Sequence, residues 1–259
     1  MQKPLLIIGN KNYSSWSLRA WLLLKAFSID FDEQLIELFD PSARPILEAH
    51  SPTGKVPVLV YGEGDEKVTV WDTLAIAMHI NEYFTDTNIW TGIKKSDAKL
   101  QNDSQNRINS AYCQSIIAEM HSGLLGIRNE MPMNIRATTK IHPSEACLAD
   151  IARIEAIFAD CLKRRSEDSY LFGHFTAADV FFAPVVLRLQ TYADASNIAL
   201  HPLTKQYCQT MLNNPHIKAW IQAALQETRI IKEDEAGEIV SLSGILSAKY
   251  YFPQKNHFS

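Results

Sequence analysis

Cysteine is scarce in this chain of 259 residues: four, at Cys113, Cys147, Cys161 and Cys208, with none before Cys113 and no two spaced as a C-x-x-C pair. That spacing argues against a disulfide framework and against a zinc or redox pair, and it leaves no sulfur in the first part of the chain for thiol exchange. Reduced thiols packed in a helical core are expected. Long apolar runs are also missing, since no segment approaches the ~18–20 residues a membrane span needs. The short run Leu5-Leu6-Ile7-Ile8 has no small-residue cleavage site behind it, so it reads as a strand rather than a signal peptide, and the expected location is cytoplasmic. Excess charge is absent as well: 25 basic against 29 acidic residues give 25 − 29 = −4, too little for a polyanion-binding surface, which argues against nucleic acid as a partner. No H-E-x-x-H, G-x-S-x-G or P-loop occurs, so metal hydrolysis, serine hydrolysis and nucleotide chemistry have no support, and no metal is expected.

What is present is 46% apolar and 21% charged residues, enough for a substantial core and for two domains. The charge is uneven. Residues 1–84 hold 7 basic and 11 acidic side chains, and the rest hold 18 of each, so the first third carries the whole net charge. That third alternates short strand-like and helical runs: a buried strand over 5–8, a helix over 17–27, a strand over 31–38 and a short helix over 45–50. Val58-Leu59-Val60-Tyr61 and Val68-Thr69-Val70-Trp71 then read as a hairpin, and Leu74, Ile76, Ile80, Tyr83 and Phe84 recur at helical spacing. The order predicts a small mixed sheet with helices packed on it.

From about residue 97 the periodicity is helical throughout, with no clear strand pattern. Ile108, Tyr112, Ile116 and Met120 mark one face, and Ile151, Ile154, Phe158 and Leu162 another. The sequence thus divides into a mixed domain over 1–84, a polar linker over 85–96, a helical domain over 97–231 and an extension over 232–259, which contains the aromatic cluster Tyr250-Tyr251-Phe252. Thr176-Ala177-Ala178-Asp179 has the spacing of a capping box, with Phe175 and Val180 at the staple positions. The following Val180 to Leu187 stretch is apolar on every side and must be buried, with Pro184 inside it.

Three segments carry candidate chemistry. Asn12-Tyr13-Ser14-Ser15-Trp16-Ser17-Leu18-Arg19 joins the first strand to the first helix, where hydroxyls and free N–H groups favour an anion. Ser14 or Ser15 either caps that helix or holds a bound thiolate or phosphate. Lys55-Val56-Pro57 precedes a strand, and a proline there suggests a special turn, in cis, that turns the Val56 backbone toward an extended peptide-like ligand. Asp72 and Thr73 stand at the next helix N-terminus. All three turns are expected at one end of the small sheet, where open α/β sheets bind ligands.

Together Ser14-Ser15-Trp16-Ser17-Leu18-Arg19, Val56-Pro57, Asp72-Thr73-Leu74-Ala75-Ile76 and Thr176-Ala177-Ala178-Asp179 resemble the cytosolic glutathione transferases, closest to the serine-type, zeta-like classes, over roughly residues 4–230. The resemblance implies an N-terminal thioredoxin-like α/β domain that binds glutathione as co-substrate, a C-terminal all-α helical-bundle domain, and a homodimer active in detoxification. It puts the thiol-activating serine on Ser14 or Ser15, the cis proline on Pro57, the strand-like contact on Val56, the acid–hydroxyl pair for the γ-glutamyl end on Asp72 and Thr73, and the partner of the glycyl carboxylate on Lys55. Two positions depart from the family pattern: Trp16 replaces the usual zeta cysteine, and Asp72-Thr73 replaces Glu or Gln followed by Ser. Glu119-Met120-His121-Ser122-Gly123 and the stretch from Arg128 to Asn134 look like a pattern of bacterial serine-type transferases.

A free thiol titrates near ~8.5, so lowering it by about two units needs roughly 2.7 kcal/mol of preference for the thiolate. One hydroxyl hydrogen bond to an anion supplies ~1.5–3 kcal/mol, and a helix N-terminus ~0.3–1. A serine donor therefore suffices, and Arg19 either adds positive potential or makes a structural ion pair, the second being favoured. Tyr112, Ser115, His121 and Arg128 are the polar residues expected to line the second-substrate pocket. The expected activity is a glutathione transferase attacking a small electrophile. Its alternatives are a cis–trans isomerase like maleylacetoacetate isomerase and a non-catalytic binding module.

Overall fold

The computed structural model describes residues 2–163 and 169–247. The apolar run at 5–8 forms the central strand β1 (Leu5–Gly9), in which Leu6, Ile7 and Ile8 are fully buried. Consecutive buried residues require cover on both faces. On one face Ile7 joins Ile36, Val58 and Val60 beneath Ala43 and Leu47 of helix α2 (Ala43–His50). On the other, Leu6 and Ile8 pack with Leu18 and Leu22 of α1 (Ser15–Ala26) and with Ile76 and Ile80 of α3 (Thr73–Tyr83). The sheet is completed by β2 (Asp32–Ile36), parallel to β1, and by β3 (Val58–Tyr61) and β4 (Val68–Trp71), both in antiparallel pairings, in the order β2-β1-β3-β4. This is the thioredoxin-like arrangement expected. The β3–β4 turn needs Gly62, whose φ is 77° and whose added Cβ would meet the Glu66 carbonyl oxygen at 2.3 Å.

Segment 85–96, expected as a plain linker, contains a short ladder of β5 (Thr87–Asn88) and β6 (Ile93–Lys94). It is also anchored, because Ile89 and Trp90 are buried and Ala177 N–H donates to the Ile89 carbonyl at 2.8 Å. The helical half follows: α4 (Ala98–Gln101), α5 (Ser104–Ser122), α6 (Leu125–Glu130), α7 (Glu145–Leu162), α8 (Ala177–Tyr192), α9 (Pro202–Asn213) and α10 (Pro215–Ala224). In α5 the face expected through Ile108, Tyr112, Ile116 and Met120 is buried only in its last half; Ile108 is exposed. In α7, Ile151, Ile154 and Phe158 are all buried.

Helix α8 is the core of this half, buried at all but one of its residues. The capping box at its start is formed. Asp179 accepts from the Thr176 N–H at 2.8 Å and hydroxyl at 3.0 Å, and also from Leu171 N–H at 3.1 Å and the Tyr207 hydroxyl at 2.9 Å, so it ties a loop and α9 to the helix start. None of the four cysteines forms a disulfide among the described residues, and Cys113, Cys147 and Cys161 are buried.

The expectation of helices alone after residue 97 is corrected by β7 (Ala137–Lys140), which pairs antiparallel with β8 (Glu238–Leu242) through a bulge at Thr138/Thr139. Four of the five β8 residues are exposed, so no buried alternation marked it; about a hundred residues of separation hid the partner. The extension is thereby held against the body as far as residue 247, with Leu246 buried, as is Ile231 just before it. Tyr250, Tyr251 and Phe252 lie outside the described residues.

Candidate functional site

At the turn between β1 and α1 the two serines do different work. Ser14 is the N-cap: its hydroxyl donates to Ser17 Oγ at 2.7 Å while its oxygen accepts the Ser17 N–H at 3.3 Å. Ser17 Oγ in turn accepts the Gly9 N–H at 2.9 Å, so this chain of bonds joins the end of β1 to the start of the helix. Ser15 is the first helical residue, and its Oγ accepts from Arg188 Nη2 at 3.2 Å. A serine has one hydroxyl hydrogen. Ser14 has committed its hydrogen locally, whereas Ser15, with an N–H already on its oxygen, keeps its own to donate.

Both serines face a cavity of about 620 Å³, along with Trp16, Val56, Arg128 and Arg188. A second cavity of about 390 Å³ shares Trp16, Lys55 and Val56 with it and extends to Pro57, Trp71 and Asp72. Ser14, Ser15, Lys55, Val56, Pro57 and Asp72 thus come together at one end of the sheet. The Val56–Pro57 bond is cis. Asp72 sits at φ 71°, a left-handed conformation uncommon for a non-glycine residue, and caps α3 by accepting the Leu74 N–H at 2.8 Å. Thr73, next to it, is buried, and its Oγ1 has no hydrogen-bond partner among the described residues.

Beside Trp16 lies a cluster of cations. Arg19 is buried, with its guanidinium 4.4 Å from the centre of the Trp16 ring, and Arg128 stacks on the same ring at 5.3 Å. The structural ion pair favoured for Arg19 is not formed among the described residues; its Nη2 points to Met120 Sδ at 3.6 Å, and Nε and Nη1 are unpartnered. Burial and the neighbouring Arg128 and Arg188 hold the Arg19 guanidinium well below its ordinary pKa. Arg128 is fixed by the Gly123 carbonyl at 2.9 Å and the Met120 carbonyl at 2.5 Å, and burial lowers its pKa too. His121 stands edge-on to Trp16, its ring centre 5.1 Å away, with Nε2 3.2 Å from Asp72 Oδ2.

Of the four residues expected around a second substrate, Arg128 lines the larger cavity. His121 is turned to Asp72, which lines the smaller cavity. Tyr112 packs on Phe172, and Ser115 is exposed with its hydroxyl donating to the Ala111 carbonyl at 2.9 Å; neither lines the cavity. Residues that sequence reasoning missed are Arg188 and Asp234, both lining that cavity. Arg188 had a signal, being a lone basic residue directly after the apolar stretch 180–187 of α8. Among the described residues no group of His, Cys, Asp or Glu could hold a metal ion.

Comparisons with known proteins agree with this fold. Family models for the glutathione S-transferase N-terminal and C-terminal domains match residues 13–82 and 142–223. A curated relative, dichloromethane dehalogenase of Methylorubrum extorquens (strain DSM 6343 / CIP 106787 / DM4), is 33% identical over 66 residues; the match spans 25% of this chain and 22% of that protein. Among solved structures, a glutathione transferase homolog from Burkholderia GL BGR1 with bound glutathione is similar with a TM-score of 0.59 at 19% identity, over 86% of this chain and 98% of that one. Glutathione transferase Omega 2S from Trametes versicolor is similar with a TM-score of 0.62 at 16% identity, over 90% of this chain and 99% of that one.

Proposed function

The chain belongs to the glutathione S-transferase family, and from that premise we propose that it binds glutathione across the two joined cavities and directs its thiolate at a small electrophile. The observation that carries the reading is the hydroxyl of Ser15, free to donate into the larger cavity at a helix N-terminus. Lys55 meets the glycyl carboxylate, the Val56 backbone pairs with the peptide, and Asp72 with Thr73 receives the γ-glutamyl ammonium and carboxylate. The unpartnered Thr73 Oγ1 supports this, since a buried hydroxyl left unbonded is costly unless a ligand completes it. The structure that resembles this chain with glutathione bound supports the ligand.

In this reading Ser15 donates a hydrogen bond to the thiolate and transfers no proton. Such a bond supplies ~1.5–3 kcal/mol, enough to lower a thiol from ~8.5 by about one to two units. The thiolate sulfur then forms the new bond to the electrophile's carbon as the leaving group departs with its electron pair. A halide fits that role, in keeping with the dehalogenase name of the curated relative. Reversible addition of the same thiolate gives the isomerase alternative. No helix among the described residues is long and apolar enough to cross a membrane. A cytoplasmic location is part of the proposal. A homodimer is proposed through the groove between α3 and α5, lined by Leu74, Met78 and Trp90, where Met78 is 60% exposed.

The test is calorimetric titration with glutathione, followed by the pKa of the bound thiol in wild type and Ser15→Ala. Binding with a depressed thiol pKa that Ser15→Ala restores toward the free value is the expected result. No binding at millimolar glutathione overturns the reading, and binding with an unshifted thiol reduces the protein to a binding module.

A further inference from the structure

Ser15 does not stand alone at the cavity wall. We propose that Arg188 is a positioning residue: it fixes Ser15 as a donor aimed into the cavity and places a permanent positive charge one hydroxyl behind the glutathione sulfur. The proposal rests on the reading of Ser15 as the thiolate's partner.

The geometry of the guanidinium carries it. Arg188 lies in α8, which packs directly against α1, and its side chain is only 6% exposed. Nη1 donates to the Met131 carbonyl and Nη2 to Ser15 Oγ at 3.2 Å, so the fork is held at two points. With a cationic N–H on its oxygen, Ser15 is disfavoured from turning its own hydrogen inward, and that hydrogen is left for the cavity. The same bond draws electron density from the oxygen and makes the hydroxyl a better donor.

The environment says what the charge is for. Among the described residues Arg188 makes no salt bridge, although it is buried in a helix whose preceding eight residues are apolar. Burial lowers its pKa to about 10, so it remains charged at neutral pH. A buried cation with no salt-bridged counter-ion costs stability, and an apolar residue of similar volume often serves a core better. Asp234 acts on Arg188 through its field without forming a salt bridge, and an arriving thiolate adds an anion on the Ser15 side. The other charged and titratable groups facing the cavity are few. Arg128 from α6 and Lys55 from the loop before β3 act in the same direction as Arg188, and Asp234 from the turn at Lys232–Asp234 opposes them. Burial pushes up the phenol of Tyr13, which lines the cavity, and that of Tyr192, which interacts with Arg188 from outside the lining, so both stay neutral.

The experiment measures the bound-thiol pKa from thiolate absorbance, together with kcat/KM and the affinity for S-methylglutathione, in wild type, Arg188→Met, Arg188→Lys, Ser15→Ala and Arg188→Met/Ser15→Ala. Arg188→Met is expected to raise the bound-thiol pKa by about one unit, and so to lower kcat/KM near pH ~6.5 about five- to tenfold. Affinity for S-methylglutathione, which has no thiol to ionise, should not change. Arg188→Lys keeps the charge without the two-point fork and should fall between wild type and Arg188→Met. In the Ser15→Ala background, Arg188→Met should add less than it does alone. If Arg188→Met does not fold, Arg188→Lys decides: an unchanged bound-thiol pKa overturns the positioning role. An unchanged thiol pKa in a folded Arg188→Met, or an equal loss of S-methylglutathione affinity, overturns it as well. Wild type that fails to bind glutathione overturns the underlying reading; wild type that binds and depresses the thiol, with Arg188→Met doing the same, overturns this proposal alone.

Discussion

His121 Nε2 lies 3.2 Å from Asp72 Oδ2, so the acid proposed to receive the ammonium of glutathione already has a titratable neighbour within the protein. Burial lowers the His121 pKa, with Arg19 and Arg128 acting the same way and Asp72 opposing them. Above its ordinary value near ~6.5 the ring is neutral and leaves the Asp72 charge to the ligand. When the pH falls below that value and then through the depressed folded pKa, the imidazolium forms and competes with the ammonium. Glutathione affinity is therefore expected to weaken only once the pH falls through the depressed His121 pKa, and His121→Gln should flatten this acid limb. Calorimetric Kd values across that range check it; identical limbs in both proteins count against the pair. The same sign holds for stability, since a histidine with a depressed folded pKa loses its contribution as the pH falls.

Ser14→Ala separates the two serines. The variant loses the N-cap bond to Ser17 N–H and the bond to Ser17 Oγ, and an N-cap of this kind is worth about 1 kcal/mol. The expected outcome is a loss of that size in urea unfolding with the bound-thiol pKa held close to wild type. Ser15→Ala should raise the bound-thiol pKa, which Ser14→Ala does not, and it also loses the bond from Arg188 Nη2.

Asp179→Ala tests the helix start that holds α8, and with it Arg188, in place. Four donors converge on that carboxylate, so the variant is expected to lose about 3 kcal/mol or more of stability. Burial pushes the Asp179 pKa up to about 6. A folded pKa above the unfolded one means that the group's contribution is full below about pH 4 and is lost as the pH rises through about 6. The gap between wild type and Asp179→Ala should thus be wider at about pH 5 than at about pH 7.5, by about 1 kcal/mol.

The parts of the molecule legible in the sequence are those written locally. Leu5-Leu6-Ile7-Ile8 announces a strand covered on both faces because four consecutive apolar residues leave no solvent side, and the structure buries Leu6, Ile7 and Ile8 completely. Thr176 and Asp179 announce a capping box because both partners lie within one helical turn. What escaped depends on residues far apart in the chain. Ser15 and Arg188 are separated by 173 positions, and nothing near either one names the other. His121 looked like part of a second-substrate wall because its helix position was legible while its partner, Asp72, came from another element. The β7–β8 ladder escaped for the same reason, compounded by a strand too exposed to show alternation.

The most remote of these relationships holds the serine turn itself. Glu227 accepts the Lys11 and Asn12 N–H groups at 2.6 and 3.0 Å, fixing the backbone just ahead of Ser14. Glu235 accepts from the Tyr13 hydroxyl and from Asn134 Nδ2 at 3.0 Å, and pairs with the buried Arg136 at 3.5 Å. The C-terminal segment is thus a brace on the turn that presents Ser15. Glu235→Ala leaves Arg136 without its acid, and removing one partner of a buried pair costs roughly 3–5 kcal/mol. Glu235→Gln keeps one acceptor oxygen, enough for the bond from Tyr13 or the one from Asn134 but not for both, so its loss should be smaller than that of Glu235→Ala. Both should lower kcat more than they weaken S-methylglutathione binding, because the Asp72 end of the site is untouched while misplacing a reacting group by about 1 Å costs on the order of 100-fold. Urea unfolding paired with kcat and calorimetric Kd decides it. A Glu235→Ala protein as stable as wild type, or one that loses affinity and turnover equally, would mean that the segment merely covers the turn.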